Sequence, residues 1–152
     1  MHPILARRER LLAYILAWVP LAGIKAYLLA LPGSLSFGEA AALAAPLSLV
    51  YAFLCLSSFY ACRSAPLTRS RTGSVLGVHA VGALIAAALL TLAGSTLASL
   101  LGTFPSLSTL PERFSQAVPP LFVLGVLLYL LAVTFHYILL SLESSQAAER
   151  RA

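Results

Sequence analysis

The chain has 152 residues, of which 60% are hydrophobic and only 10% are charged, and its formal net charge is +5. Soluble domains carry about 25% charged residues, so this composition excludes an ordinary water-soluble domain. Four apolar tracts each reach the roughly 20 residues that cross a bilayer as a helix. We therefore predict an all-α membrane protein with four transmembrane helices. The basic residues form short clusters between the tracts, which does not indicate nucleic acid as a partner.

Missing residue types exclude several classes of enzyme. The sequence contains no aspartate and no asparagine, a single lysine and five glutamates. Catalytic carboxylate pairs, EF-hand loops and the phosphate-binding P-loop all depend on residues that are absent or unsupported here. We predict no catalytic residue and no enzymatic activity within these residues.

The first two predicted spans form a hairpin. The first covers about 11–31 and follows the basic start MHPILARRER. It is longer than the apolar core of a signal peptide, so we expect it to be retained. Pro20 cannot donate a backbone hydrogen bond and should kink this helix. The turn LPGSLSFG leads into the second span, at about 39–62.

The third and fourth spans are predicted at about 74–103 and 120–142, separated by FPSLSTLPERFSQAVPP. That segment is too short for a folded extracytoplasmic sensor domain. No glycine or proline follows the fourth span, so its helix should extend beyond the membrane. We therefore divide the chain into a four-helix transmembrane domain, 1–142, and the start of a cytoplasmic helical linker, 143–152.

Basic residues near the span ends predict the orientation. Arg113 and Lys25 lie towards one side of the membrane, and eight arginines lie on the other. Because cytoplasmic loops are enriched in Lys and Arg, both termini should be cytoplasmic, in a bacterial inner membrane. The eight arginines are Arg7, Arg8, Arg10, Arg63, Arg69, Arg71, Arg150 and Arg151.

The third span is rich in small residues at four-residue spacing. Gly73 and Gly77 form one such pair, and Gly94, Ala98 and Gly102 repeat the spacing. Small residues at this spacing let helices approach closely. The pattern predicts either packing within one four-helix bundle or the seam of a homodimer.

Three stretches carry a resemblance to a known family: HPIL near the start, VYAFLCLSSFYACRSAPL, and FVLGVLLYLLAVTFHYILLSLESSQAAERRA. The chain resembles the N-terminal four-span membrane region of LytS/YehU-type bacterial sensor histidine kinases, which include AlgZ-like proteins. The resemblance covers roughly residues 2–152. It implies a dimeric two-component sensor whose fourth helix leads to a cytoplasmic kinase domain. The histidine-box and ATP-binding regions of that family have no counterpart here, so no catalytic residue is carried over.

Cys55, His79 and His136 form the first candidate site, and Cys62 lies near it in the sequence. Cys55 and Cys62 lie about 10.5 Å apart along a helix, too far for a disulfide. Cys62 should mark a helix end, while Cys55, His79 and His136 should share one depth on three spans. Thiolate and imidazole suit zinc, copper or haem iron. The alternative is packing, with neutral histidines bonded to a carbonyl or hydroxyl of a neighbouring helix and Cys55 as an apolar filler.

Lys25 and Glu39 form the second candidate site. Lys25 should lie about 9 Å inside the outer boundary, while Glu39 opens the second span. A charge at that depth is costly unless it is paired or reaches the interface. We predict a Lys25–Glu39 pair in the outer leaflet that caps the first hairpin, or alternatively an outward-facing pocket for an anionic or lipid-like signal.

These features predict a non-catalytic sensory module that is embedded in the lipid bilayer. A small shift or rotation of the fourth helix would pass the signal to a cytoplasmic kinase domain or partner. The alternative is a stand-alone small inner-membrane protein. Such a protein would act as an assembly partner or as a carrier of metal, haem or quinone.

Overall fold

The structure is a computed structural model that describes residues 8–64 and 72–149. Within these ranges the chain is helical and contains no strand. A short 3-10 turn at Pro105–Leu107 and the short helix α4, Leu110–Ser115, connect the last two long helices. The four long helices are α1 Arg8–Ala30, α2 Phe37–Ser64, α3 Thr72–Leu101 and α5 Val118–Glu149.

All four long helices are long and apolar enough to cross a membrane, which confirms the predicted all-α fold with four candidate spans, while the cytoplasmic position of both termini stays a prediction. The observed helices differ from the predicted spans by a few residues at each end. The loop 65–71 and the terminal segments lie outside the described residues. Five of the arginines that predict the orientation lie in these segments. The apolar portions are Leu11–Ala30, Phe37–Ser64, Gly73–Leu101 and Val118–Leu142.

The start of α2 is set by a capping box. The Ser36 backbone N–H donates to Glu39 Oε2 at 2.8 Å, and the Glu39 N–H donates to Ser36 Oγ at 3.3 Å. This reciprocal pair satisfies two backbone donors that a helix start otherwise leaves without partners. The helix therefore begins at Phe37, slightly before the predicted position, and Glu39 is fixed at its first turn.

The second helix occupies the centre of the bundle. It contacts α1, α3 and α5, and α3 and α5 also pack against each other. By contrast, α1 packs along α2 and makes only slight contact with α5. The first helix is therefore held in place almost entirely through α2.

The last helix continues without a break beyond its apolar portion. It begins at Val118, places Pro119 and Pro120 in its first turn, and runs past Leu142 to Glu149. Prolines are tolerated in the first turn because their missing N–H would have no helical partner there. The predicted helical extension is confirmed, while its cytoplasmic location stays a prediction.

Glycines at the C-terminal end of α3 allow α4 to approach closely. A Cβ at Gly94 would lie 2.7 Å from Phe114 Cζ, and one at Gly102 would lie 2.7 Å from Pro111 Cγ. These two glycines therefore serve packing within one chain. Gly73 and Gly77 face open space in this structure, and the homodimer seam stays a prediction.

Candidate functional site

The Glu39 carboxylate pairs with Arg113, not with Lys25. Arg113 Nη1 donates to Glu39 Oε2 at 3.0 Å and to the Ser34 carbonyl at 3.3 Å, while Nη2 donates to Glu39 Oε1. This is the one ion pair found in ranges 8–64 and 72–149. The planar guanidinium matches both carboxylate oxygens, and the hydrogen bonds that Arg113 donates to Glu39 raise the pKa of Arg113 above its ordinary value. The predicted Lys25–Glu39 pair is therefore wrong.

Lys25 lies inside the bundle, where it is fully buried. Its Nζ has no hydrogen-bond partner in the described part of the chain and lies 5.6 Å from the centroid of the Tyr51 ring. Helical side chains lean towards the N-terminus of their own helix, and α1 and α2 run antiparallel, so these two side chains lean towards each other. Lys25 thus points away from the nearby helix end and into the bundle.

Among the described residues, no carboxylate forms a hydrogen bond or ion pair with the Lys25 amine. All five acidic residues lie near helix ends or beyond the apolar spans. A lysine costs about 2.5–3.5 kcal/mol at the centre of a membrane helix and less towards its ends, whereas a cation–π contact returns about 0.5–2 kcal/mol. Lys25 is therefore a net structural cost, which makes it the strongest functional candidate in the protein. The acidic residues are Glu9, Glu39, Glu112, Glu143 and Glu149.

Tyr51 connects Lys25 to the last helix. Its buried hydroxyl donates to the Gly125 carbonyl of α5 at 2.5 Å, and its ring packs edge-on against Trp18, with centroids 6.2 Å apart. Gly125 lets α5 approach α3, since a Cβ there would lie 3.1 Å from Ala87 Cβ. We refer to Trp18, Lys25, Tyr51 and Gly125 as the Lys25 site, which joins α1, α2 and α5.

A lipid-facing groove lies beside this site, between α1 and α2. Its volume is about 230 Å³, and Trp18 forms part of its wall. Ser48 also lines the groove, and its buried Oγ has no hydrogen-bond partner among the described residues. We call this the α1–α2 groove; its lining residues are Ile15, Trp18, Val19, Ala22, Ala45, Ser48, Leu49 and Ala52.

His136 joins α5 to α2 through a hydrogen-bond chain. Its Nδ1 lies 2.8 Å from the Ala132 carbonyl and 3.0 Å from Ser58 Oγ. Because a carbonyl only accepts, Nδ1 carries the proton and both oxygens accept from it. The Ser58 hydroxyl in turn donates to the Cys55 carbonyl at 2.7 Å. His136 therefore makes the contact to a neighbouring helix that the packing interpretation predicts.

His79 joins α3 to α5, since its Nε2 lies 2.8 Å from the Tyr137 hydroxyl. Cys55 and Cys62 are buried, and the Cys62 thiol donates to the Val133 carbonyl at 3.7 Å. The described residues include no group of three histidine, cysteine or acidic residues that could hold a metal. The structure thus gives no support to a metal or haem site built from Cys55, His79 and His136.

Sequence reasoning missed Arg113 and Tyr51 as partners of the charged residues. The Ser36-x-x-Glu39 spacing is typical of a capping box. From it we could have predicted that the Glu39 side chain folds back towards the start of the helix. The tilt of helical side chains could likewise have predicted that Lys25 points into the bundle. Nothing in the sequence signals that α4 brings Arg113 to Glu39.

Comparison with protein-family models, with characterised proteins and with solved structures gives no match for this chain. The resemblance to LytS/YehU-type kinases therefore stays a prediction from the sequence. The function must be inferred from the residues of the Lys25 site and from the helices that it joins.

Replacing Lys25 with methionine should stabilise the protein. Lys25→Met keeps a long, flexible side chain and removes the charge. The stability gained by removing a buried charge should exceed the stability lost with the cation–π contact to Tyr51. We expect an increase of about 1–2 kcal/mol in the free energy of unfolding, measured in lipid bicelles. Leu29→Ala is a matched control on the same helix and should cost about 2–5 kcal/mol by leaving a cavity. A less stable Lys25→Met protein would contradict this account of Lys25.

The two adjacent serines of α2 test the role assigned to His136. Ser58→Ala should lower the free energy of unfolding by about 1–2 kcal/mol, because it removes a buried hydrogen-bond partner of His136. Ser57 is exposed, and its hydroxyl donates only to the Leu54 carbonyl at 2.6 Å. Ser57→Ala should therefore change stability by less than about 0.5 kcal/mol. Equal effects of the two substitutions would show that His136 does not fasten α5 to α2.

Proposed function

We propose that the chain is a membrane-embedded sensory module that passes a signal from α1 to the extension of α5. The observation that carries this proposal is the continuity of α5. One unbroken helix extends from the contact between Tyr51 and Gly125 to Glu149, beyond the apolar portion that ends at Leu142. A displacement of α5 inside the membrane would therefore reach its far end.

The contacts of Tyr51 provide the route between the two helices. Since α1 hardly touches α5, a change at Lys25 would reach α5 through Tyr51, which contacts the amine with its ring and Gly125 with its hydroxyl. His136 and His79 fasten α5 to its neighbours at other levels. Two packings of these contacts that differ by a few kcal/mol would let a signal shift their populations.

A finer proposal is that the module belongs to a two-component sensor histidine kinase and acts as a homodimer in a bacterial inner membrane. The sequence resemblance supports the kinase partner, which α5 would reach. Arg8 and Arg63 support cytoplasmic termini, because they lie at helix ends opposite the end that carries Arg113. The alternative role as a metal or haem carrier has no ligand group to support it among the described residues.

Transmission through Tyr51 predicts that removing one hydroxyl moves α5. Tyr51→Phe keeps the ring beside Lys25 and removes the hydrogen bond to Gly125. We expect a shifted distance distribution between spin labels at Ser64→Cys and Gln146→Cys, measured by double electron–electron resonance in nanodiscs. Both label positions are exposed, one at the end of α2 and the other on the extension of α5.

The matched control is Tyr27→Phe, the same substitution at an exposed tyrosine of α1. Cys55→Ala and Cys62→Ala remove the native thiols in every sample. Tyr27→Phe should leave the distance distribution of the labelled protein unchanged. If Tyr51→Phe also leaves it unchanged, Tyr51 does not couple to α5 and the proposed route fails.

A further inference from the structure

We propose that the protein binds a long-chain carboxylate, with the carboxylate on the Lys25 amine and the acyl chain in the α1–α2 groove. Binding of the carboxylate requires no movement of α5. The bound ligand would be a signal for the proposed sensory function. Ligand binding and signal transmission can nevertheless fail independently in experiments. The argument rests on charge, on the shape of the groove and on two buried polar atoms without partners.

The charge argument is that the Lys25 amine has no carboxylate partner among the described residues. Its Nζ is buried beneath the Tyr51 ring, and every acidic residue lies outside the middle of the spans. A buried charge is stabilised by a partner of opposite charge that also makes hydrogen bonds. A fatty acid that enters as its carboxylate anion would pair with the Lys25 ammonium, and this pairing requires no proton transfer and no other reactant.

The shape argument is that the groove suits a single acyl chain. Ala22, Ala45 and Ala52 leave space between the helices, while Val19 and Leu49 form apolar walls. At about 230 Å³, the groove has space for a segment of one acyl chain. A free fatty acid has a single chain, so no second chain has to lie outside the groove.

The groove also lies at the appropriate depth for such a ligand. Ala22 is the groove residue nearest to Lys25 in sequence, one helical turn away. Lys25 is about 7.5 Å from the end of α1 at Ala30, and the rest of the groove extends further towards the membrane centre. A fatty acid in this leaflet would therefore present its carboxylate towards Lys25 and its chain towards the groove.

Ser48 supplies the second unpartnered polar group. It is 2% exposed, lines the groove, and has no hydrogen-bond partner for its Oγ among the described residues. Ser48 precedes Tyr51 by three residues, about one helical turn, so the two side chains are neighbours on the surface of α2. A carboxylate accepts several hydrogen bonds, and the Ser48 hydroxyl is a donor available from the groove.

Trp18 separates the groove from Lys25. It lines the groove and also packs edge-on against Tyr51, the ring that covers the amine. Pro20 cannot donate to the Leu16 carbonyl, so α1 lacks one backbone hydrogen bond beside Trp18. The carboxylate would reach Lys25 when the indole moves away from Tyr51, at the place where α1 is least restrained.

Trp18 is also the only tryptophan of the chain, which gives a direct test. The protein in phosphatidylcholine nanodiscs is titrated with mid-chain dibrominated stearic acid, whose bromines quench indole fluorescence on contact. We expect saturable quenching of Trp18 by the acid. Its methyl ester should need at least about tenfold more ligand, because it cannot form the charge-assisted hydrogen bond to Lys25.

Variants assign the effect to Lys25. In Lys25→Met, the acid should quench only as weakly as the ester does in the unchanged protein. Arg63→Gln removes an exposed charge at the opposite end of α2 and should leave quenching unaltered. Ser48→Ala should weaken binding of the acid several-fold. Helical circular dichroism and the Trp18 emission maximum establish that each variant keeps its fold.

Three results would overturn the proposal. Equal quenching by the acid and the ester in the unchanged protein would mean that the acyl chain enters the groove without a site for the carboxylate. This comparison needs no variant. Undiminished quenching by the acid in Lys25→Met would remove Lys25 from the site. Dibrominated phosphatidic acid that quenches as strongly as the fatty acid, with the same dependence on Lys25, would identify a lipid phosphate as the ligand.

Discussion

The structure depends on a lysine amine that lies inside an apolar bundle and has no carboxylate partner in the described part of the chain. Lys25 is directed inward by the tilt of α1 side chains and covered by the Tyr51 ring. The same tyrosine donates to Gly125 of the last helix, so the least stable group in the membrane domain lies at the junction of three helices. Such a position suits a group whose neutralisation changes how the helices pack.

The end of the bundle that carries α4 is held by more contacts than the region around Lys25. Arg113 joins α4 to the capping box of Glu39 and to the Ser34 carbonyl, and α4 packs closely against Gly94 of α3 and Gly102 just after it. The first helix, by contrast, is held almost solely by α2 and contains Pro20 in its apolar portion. Movement of α1 is therefore easiest along the groove beside Lys25, while the turn before α2 stays fixed.

The sequence predicts what depends on local composition. Apolar length reveals the four spans, and the absence of glycine and proline after Leu142 predicts the extension of α5. The partner of Glu39 was not predictable in this way, because Arg113 reaches it only when Phe114 packs against Gly94 of a distant helix. Cys55, His79 and His136 illustrate the same limit. Counting residues estimates their depth, but the rotation of each helix decides which hydroxyl or carbonyl they meet.

Burial of the Lys25 amine is the central claim, and Lys25 is the only lysine of the chain. The most direct measurement treats the protein in nanodiscs with a water-soluble acetylating reagent and determines by peptide mass which amines react. The account predicts that the N-terminal amine is acetylated while Lys25 stays unmodified until the protein is unfolded in detergent. Acetylation of Lys25 in the folded protein, at a rate like that of the N-terminal amine, would show that its side chain reaches the interface and would contradict the account.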